Sequence, residues 1–594
     1  MREFSTPMTI AVPTTGNLTD DVAGNGRDHP DSVMFSRQSG SGLVDVTAAE
    51  FLTEVQGVAK GLVAAGIDVG DRVALLSKTR YEWTLLDYAI WFAGAVTVPI
   101  YETSSAEQVQ WILQDSGAKA VVAEGADHIA RIVEVRPSLE QLNNVWSFDD
   151  NAVEVLTALG ADITDEELEK RRTTAMPSDL ATLVYTSGTT GRPKGCRITH
   201  GNFMFELGVA VEELADLFDD EEAATLLFLP LAHVFARIVQ IGCMKKRVRL
   251  GHSSDIKNLV ADLGEFRPTF ILGVPRVFEK VFNTASQRAA ADGRGRIFDR
   301  AAEVAISYSR ALDRGRVPLR LRAQHAAFDK LVYGKLRDAL GGRCTYAVSG
   351  GAPLGERLGH FYRGIGLNVL EGYGLSETAA AITVNLPDAQ KVGSVGRPLP
   401  GAAVRVADDG ELLFKGGQVF DGYWHNDEAT AAALTDGWLH SGDVGEVDDE
   451  GFVRITGRKK EILVTAGGKN VAPAVLEDRL RAHYLVSQCM VVGDGQPFIA
   501  ALVTIDTESF PAWAERHGKK GAIADLVDDP DLRAEVEAAV EDANKAVSKA
   551  EAIRRFTILP ADWTEEGGQL TPSLKLKRNV VMREFKDDVA DLYR

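Results

Sequence analysis

From residue 47 onward the hydrophobic period of the chain alternates between helical and strand-like, and this alternation limits the fold more than any other feature. The stretch VTAAEFLTEVQGVAKGLVAAG opens with Thr47 and Glu50 in capping-box spacing, and Phe51, Val55, Val58 and Leu62 share one helical face. DRVALLS then reads as a strand. SSAEQVQWILQDSG predicts a second helix capped by Ser104 with Glu107, and AKAVVAE predicts another buried strand. The most apolar run, YAIWFAGAVTVPI at 88–100, is shorter than the ~20 residues that span a bilayer and reads as a buried helix running into a strand. The pattern predicts an α/β fold of stacked layers with mostly parallel sheets.

After residue 400 the signal changes. AAVRVADDGELLFKG and GEVDDEGFVRITGR read as antiparallel hairpins with Asp/Gly turns, a small barrel-like part of the large unit. From KKEILVTAGGKNVAPAVLEDRL onward a separate small α+β unit is expected: a strand, a helix with Pro473 near its first turn, and a strand at FIAALVTI. The boundary is placed near 458–460, giving units 1–458 and 459–594. The polar, Gly/Thr/Asp-rich N-terminal segment, about 30 residues, is expected to be loosely held. The charged segment 528–555 reads as a solvated helix face.

A net charge of −20 disfavours a nucleic-acid partner, which would need a basic face. Cys196, Cys243, Cys344 and Cys489 lie far apart without CxxC spacing, so neither a disulfide framework nor a zinc site is suggested and a reducing cytoplasm fits. MTIAVPTTGN near the N-terminus carries no apolar signal core.

Any anionic ligand must therefore meet local positive charge. YTSGTTGRPKGC at 185–196 supplies it: a strand breaks into Gly, Ser and Thr, whose bare N–H groups and hydroxyls suit a phosphate, with Lys194 adding a point charge. It is not a Walker A loop, because Pro193 and Cys196 stand where that motif needs its second glycine. The alternative is an ordinary surface loop.

Further stretches follow in order: PLAHVFAR (230–237), GVPRVFEK (273–280), AVSGGAPL (347–354), EGYGLSET (371–378), DGWLHSGDVG (436–445), GRKKEILVTAGGKNVAP (457–473) and LTPSLKLKR (570–578). Together with the glycine loop these resemble the core motifs of the adenylate-forming (AMP-binding) superfamily, from about residue 45 to the C-terminus. PLAHVFAR and GVPRVFEK are most similar to bacterial long-chain fatty acid–CoA ligases of the actinobacterial type. The resemblance implies a large N-terminal domain, a small mobile C-terminal domain, and substrates ATP, a fatty acid and coenzyme A, with Mg²⁺. A carboxylate would attack the α-phosphorus to give acyl-AMP and pyrophosphate, and the CoA thiol would then take the acyl group and release AMP.

The same resemblance assigns expected roles. Thr186, Ser187, Gly188, Thr189, Thr190, Gly191 and Lys194 wrap the β- and γ-phosphates, and Glu377 with Thr186 serves the Mg²⁺. Thr378 donates to the α-phosphate. Tyr373 beside Gly374 offers a face to adenine, or is a core tyrosine, and Gly350 and Gly351 admit the purine. Asp443 accepts from the ribose hydroxyls and Arg458 supports them. Lys575 falls at the catalytic lysine, although Leu574 replaces the glycine that many relatives carry there, which keeps Lys577 in competition. Lys460 matches the hinge about which the small domain turns. Gly467, Gly468 and Lys469 would line the CoA tunnel, and Val234, Phe235, Gly273 and Val274 the acyl pocket. His233 is either a gate near the acyl carbonyl and thiol or a packed histidine.

Each buried CH₂ is worth only ~0.8 kcal/mol, about fourfold in affinity, so chain-length choice depends on the closed end of the pocket. The basic run MKKRVRL at 244–250 would meet CoA phosphates or lipid headgroups, or is a charged surface strand. Peripheral membrane contact fits a bilayer-borne acid. The competing readings are an acyl-AMP ligase serving a carrier protein, a CoA ligase for shorter acids, and an inactive scaffold.

Overall fold

The computed structural model describes residues 2–40, 42–186, 192–255, 258–571 and 575–594. Ser187, Gly188, Thr189, Thr190, Gly191 and Leu574 from the sequence reading lie outside them.

The predicted α/β alternation is present. Helix Ala48–Ala64 begins at a capping box in which the Thr47 hydroxyl accepts from Glu50 N–H and the Glu50 carboxylate accepts from Thr47 N–H at 2.8 Å. Phe51, Val55, Val58 and Leu62 form its buried stripe. The next cap is one residue later than predicted: Ser105 and Gln108, not Ser104 and Glu107, close the box ahead of Ala106–Ser116. An amide side chain returns the reciprocal bond as well as a carboxylate does, so the Glu signal misled. The apolar run becomes helix Tyr81–Phe92, buried except at Glu82, and strand Val96–Ile100, buried throughout.

Three sheets carry the large unit. In the first, Asn144–Ser147, Ala120–Ala123, Arg72–Leu76, Val96–Ile100 and Leu180–Thr186 run parallel, with Lys194–Thr199 antiparallel at the edge. The second is ordered Phe270–Gly273, Tyr346–Ser349, Asn368–Leu375, Ala380–Val384, Arg397–Pro398, parallel for three strands and antiparallel for two. The third joins Ala224–Leu227 and Arg249–His252 to the hairpin Val33–Ser39/Gly42–Thr47. A half-barrel is built from the predicted late hairpins, Ala403–Val406 with Glu411–Lys415 and Trp438–Val447 with Val453–Arg458.

The N-terminal segment is not loosely held. Glu3–Ser5 pairs antiparallel with Ala403–Val406 at the edge of the half-barrel, and helix Asp20–Asp28 follows buried Leu18 and buries Val22. Few apolar residues suffice here because main-chain pairing does the anchoring. The run MKKRVRL is not a surface strand either. It ends helix Val234–Lys246 and enters strand Arg249–His252, with Lys246 tied to Glu212 and Asp219.

Beneath helix Val234–Lys246 lies a polar knot without solvent exposure. Arg237 donates from Nη2 to Asp87 Oδ1 (2.6 Å), from Nε to Asp87 Oδ2 (3.2 Å) and from Nη1 to Thr182 Oγ1 (2.6 Å). Asp87 also accepts from Thr97 Oγ1 (2.7 Å) and Gln240 Nε2 (3.0 Å). Trp83, Trp91 and Phe203 surround the guanidinium at 5.6, 5.2 and 5.7 Å from their ring centres.

The C-terminal unit has its own core. Strands Val486–Val492, Ile499–Ile505 and Ile553–Ile558 are flanked by helix Pro473–Arg481, with proline at its start, and by Pro530–Asn544, which buries Leu532, Val536, Ala539, Val540 and Ala543 and leaves its charges outward. This unit rests on helix Pro275–Ala291 through Arg276–Asp506 (3.3 Å), Lys280–Glu508 (3.1 Å) and Gln287–Ser509 (2.6 Å).

Candidate active site

The parallel strands Phe270–Gly273, Tyr346–Ser349 and Asn368–Leu375 end side by side, and the crevice beyond such carboxyl ends is where open α/β sheets bind ligands. Three groups of side chains converge there.

The first surrounds Asp443, which is buried. Its Oδ2 accepts from the Tyr373 hydroxyl (2.5 Å) and its Oδ1 from Arg458 Nε (2.9 Å). Strand pairing sets this up, because Asp443 and Arg458 are direct partners across the hairpin. Burial, then the neighbouring Asp443 carboxylate, holds the Tyr373 phenol well above its ordinary pKa. Tyr373 also packs on Phe414 at 5.4 Å, so it combines a core contact with a polar one.

The second is the turn SETAA. Ala379 and Ala380 have φ of +51° and +132°, a costly backbone for residues with a Cβ. Thr378 braces it: its buried hydroxyl accepts from Leu375 N–H (2.8 Å) and faces the carbonyls of Ala380 (2.8 Å) and Leu375 (3.0 Å). The resemblance implies that Thr378 donates to the α-phosphate; in this structure its hydroxyl proton faces the Leu375 and Ala380 carbonyls. Glu206 Oε1 accepts from Ala381 N–H (3.2 Å), and burial raises that carboxyl's pKa above the ordinary carboxylate range. Gly374 is required for packing: a Cβ there would lie 1.5 Å from the Ala380 carbonyl oxygen. The strained turn presents Glu377, whose Oε1 accepts from the Tyr423 hydroxyl (2.7 Å). Lys194 stands over the Tyr423 ring at 5.1 Å, and Thr186 pairs with Lys194 across the first sheet's edge. Tyr423 was missed by sequence reasoning; GYW in a loop carries no signal of its own.

The third lines the floor. His233 caps helix Val234–Lys246, its Nδ1 accepting from Phe235 N–H (3.2 Å), which leaves the ring proton on Nε2. Burial, and then the charge of Lys575, pushes its pKa down to about 4, so the imidazole is neutral. A Cβ on Gly350 would sit 3.5 Å from the Phe235 ring, and one on Gly351 3.7 Å from Val274. Gly351 also has φ +84°, which demands glycine. Gly273 lies against Phe278 and Phe228, and Val234 is buried. Behind these, Glu371 Oε1 accepts from Leu354 N–H (3.0 Å) and anchors the glycine loop, with burial pushing its pKa up to about 7.

Lys575 reaches this cleft from the C-terminal unit. Its backbone N–H donates to Thr571 Oγ1 (3.0 Å) and its C=O accepts from Thr571 N–H (2.8 Å), closing a small loop. The side chain is solvent-accessible yet set deep between the two units. Burial, then Arg458, lowers the amine's pKa, while Asp443, Glu377 and Glu461 oppose that shift. Lys577 is elsewhere: it begins helix Arg578–Glu584 and its charge acts on Glu565. The register is fixed from behind by Arg578, which pairs with buried Glu477 (2.7 Å) and donates to the Val491 carbonyl (2.6 Å).

Gly467, Gly468 and Lys469 are not brought to the cleft. They form the exposed turn of hairpin Leu463–Val464/Asn470–Val471, where Lys469 pairs with Glu551 (3.2 Å). Lys460 is exposed in the turn Lys459–Glu461, whereas Lys459 is tied to Asp409 (2.5 Å) and Glu411 (3.0 Å) of the large unit.

The residues present fit a magnesium–nucleotide complex: a carboxylate and a hydroxyl as oxygen donors, two lysines of opposite origin, and a buried Asp paired with Tyr and Arg. Comparison with known proteins agrees. The family model described as AMP-binding enzyme matches residues 22–424, and that described as AMP-binding enzyme C-terminal domain matches 460–594. The chain is 52% identical to the long-chain-fatty-acid–CoA ligase FadD15 of Mycobacterium tuberculosis, with 100% of both chains covered. It is 30% identical to the long-chain-fatty-acid–CoA ligase ACSBG2 of Xenopus laevis over 95% of this chain and 82% of that one. The crystal structure of the anthranilate CoA ligase AuaEII in complex with anthranoyl-AMP shares the fold, with a TM-score of 0.72 at 18% identity over 98% of this chain and 99% of that one. By motif order, fold and both matched segments, this chain belongs to the AMP-binding enzyme family.

Proposed function

We propose that this protein is a long-chain fatty acid–CoA ligase that works through an acyl-adenylate. The observation that carries the reading is the full-length 52% identity to FadD15, with no segment of either chain left over. The sequence reading of an ATP-dependent acid–thiol ligase stands on the same ground.

Bringing a carboxylate to a triphosphate opposes two anions, so charge placement dominates the first step. Lys575 enters from the C-terminal unit within the fields of Asp443 and Glu377, where a cation can hold the attacking carboxylate against an α-phosphate oxygen. Asp443 and Arg458 hold the ribose, with Tyr373 locking the Asp443 carboxylate in place. Lys194 and Thr186 take the outer phosphates at the mouth of the glycine loop. Glu377, steadied by Tyr423, and Thr186 would hold Mg²⁺, which when bound neutralises phosphate charge. Phe235, Val274 and Gly273 wall the acyl chain. Neutral His233, with only Nε2 left to engage substrate, stands by the acyl carbonyl. The thioester step needs no further base chemistry from a triad: the anhydride is activated, and a thiol of pKa ~8.5 is a competent nucleophile once oriented.

For CoA to enter, the C-terminal unit turns about Lys460, with residues 1–458 and 459–594 as the two bodies, and Gly467, Gly468 and Lys469 then swing in to line the pantetheine path. The exposure of that turn in the present pose supports this reading. No helix among the described residues is long and apolar enough to cross a membrane. We place the enzyme in the cytoplasm, in peripheral contact with the bilayer that holds its substrate.

Pyrophosphate exchange across acids of graded length, with and without CoA, tests the function. Exchange with long acids and acyl-CoA release on adding CoA is expected. Adenylate persisting despite CoA points to carrier delivery, and exchange with no acid refutes the ligase. Lys575→Ala should lower exchange about 10²–10³-fold, the usual cost of one aimed electrostatic donor, while Lys577→Ala leaves it near the wild-type rate. Equal loss in both overturns the assignment.

A further inference from the structure

Helices Gly295–Asp313 and Leu319–Phe328 fold back on each other as a hairpin, with the Tyr308 ring stacked on His325 at 3.9 Å across it. The second helix buries none of its residues. At the tip Leu312 is 45% and Leu319 82% exposed, and Leu331 just beyond is 61% exposed. A free-standing helix hairpin in water would place polar residues at such positions.

The charge is equally unusual. Residues 294–337 hold eleven Lys and Arg against four Asp and Glu, within a chain of net charge −20. Arg310, Arg314, Arg316, Arg320 and Arg322 are all exposed around the two leucines. None of the five makes an ion pair among the described residues, whereas nearby Arg300, Arg337 and Arg363 pair with Glu303 (2.6 Å), Asp329 (2.8 Å) and Asp313 (2.5 Å). The one acid at the tip, Asp313, is therefore already neutralised.

We infer that this hairpin tip docks the protein on an anionic lipid bilayer, with Leu312 and Leu319 entering the headgroup–acyl boundary and the five arginines meeting lipid phosphates. Exposed leucines inside a ring of unpaired arginines complement a surface that is charged outside and apolar beneath. A nucleic acid would use the arginines but has no place for the leucines. The hairpin also packs on the wall of the proposed acyl pocket: Phe298 meets Phe282 at 5.4 Å on helix Pro275–Ala291, which starts directly after Gly273 and Val274. Docking by this tip would hold that wall about 20 Å from the phase in which a long-chain acid dissolves, because Phe298 and Leu312 are fourteen residues apart on one helix. This last point rests on the ligase reading; the docking itself does not.

Flotation with phosphatidylcholine vesicles, with and without phosphatidylglycerol, tests the surface in the absence of substrate. Wild type should float with the anionic vesicles, not with the neutral ones, and lose most but not all of that binding as salt rises. At about fivefold per arginine, Arg314→Ala/Arg316→Ala/Arg320→Ala should weaken partition about a hundredfold. Leu312→Ser/Leu319→Ser should keep salt-sensitive binding and lose the salt-resistant fraction. All variants should match wild type in forming acyl-CoA from a soluble short acid, and fall behind with an acid embedded in vesicles. Equal flotation of wild type and the arginine variant overturns the proposal. So does RNA binding that the arginines support and the leucines do not affect, or wild-type self-association in gel filtration that the same substitutions abolish. If no acid is activated by any form, the ligase reading falls, and flotation still judges the surface.

Discussion

Asp87 offers a demanding test of how the floor of the cleft is held. Asp87→Ala removes four hydrogen bonds at once, two from Arg237 and one each from Thr97 and Gln240, and leaves the guanidinium with no solvent exposure and only its Thr182 bond. An uncompensated buried charge of this kind costs about 3–5 kcal/mol. Replacing both partners by apolar residues, Asp87→Leu with Arg237→Met, removes charge and counter-charge together and should cost less than about 2 kcal/mol. Closed with the singles Asp87→Leu and Arg237→Met, each of which breaks the pair as Asp87→Ala does, the cycle predicts a coupling energy above about 2 kcal/mol. Urea unfolding followed by tryptophan fluorescence is well suited, because Trp83 and Trp91 flank the guanidinium at 5.6 and 5.2 Å. Arg237 lies one helical turn from His233, so the single variant should also lose turnover more than nucleotide affinity. Additive costs across the cycle, or an Asp87→Ala penalty below about 1 kcal/mol, would refute the reasoning.

Two further outcomes are expected. Lys460→Pro should spare acyl-adenylate formation and slow thioester formation when the half-reactions are timed separately; equal slowing of both rules out the hinge. Glu371 has its pKa raised from 4.5 to about 7 by burial, so the folded state holds a proton that the unfolded state has lost, and stability falls as pH rises through that window, by up to about 3 kcal/mol. Glu371→Gln should flatten this fall in thermal midpoints measured on either side of neutrality, and an unchanged slope would show that the carboxyl is not the cause.

The layers were legible in the sequence because their signals are local. Thr47 and Glu50 announce a helix, Pro473 starts one, and Asp/Gly pairs close the late hairpins. The N-terminal strand was not, since three residues paired by main-chain bonds need no apolar pattern. The bonds by which Thr378 braces its own turn were not legible either, because motif position says nothing about where a hydroxyl points. The choice of Lys575 over Lys577 as the cleft residue depends on Arg578 gripping Glu477, a contact 101 positions away. Asp87 left a clue that was overlooked: a lone carboxylate in the helix TLLDYAIWF must find a buried cation.

The pairing of Glu3 with Arg405 joins residues 402 positions apart. At ~5–20 residues per second, on the order of 20–80 s of synthesis separates the two from the ribosome. The opening strand must wait that long without its partner, and the half-barrel gains its final edge only after most of the large unit has emerged. A bulky tag fused ahead of Glu3 would therefore burden a late closing step, slowing maturation of the half-barrel while leaving the earlier parallel sheets to form on schedule.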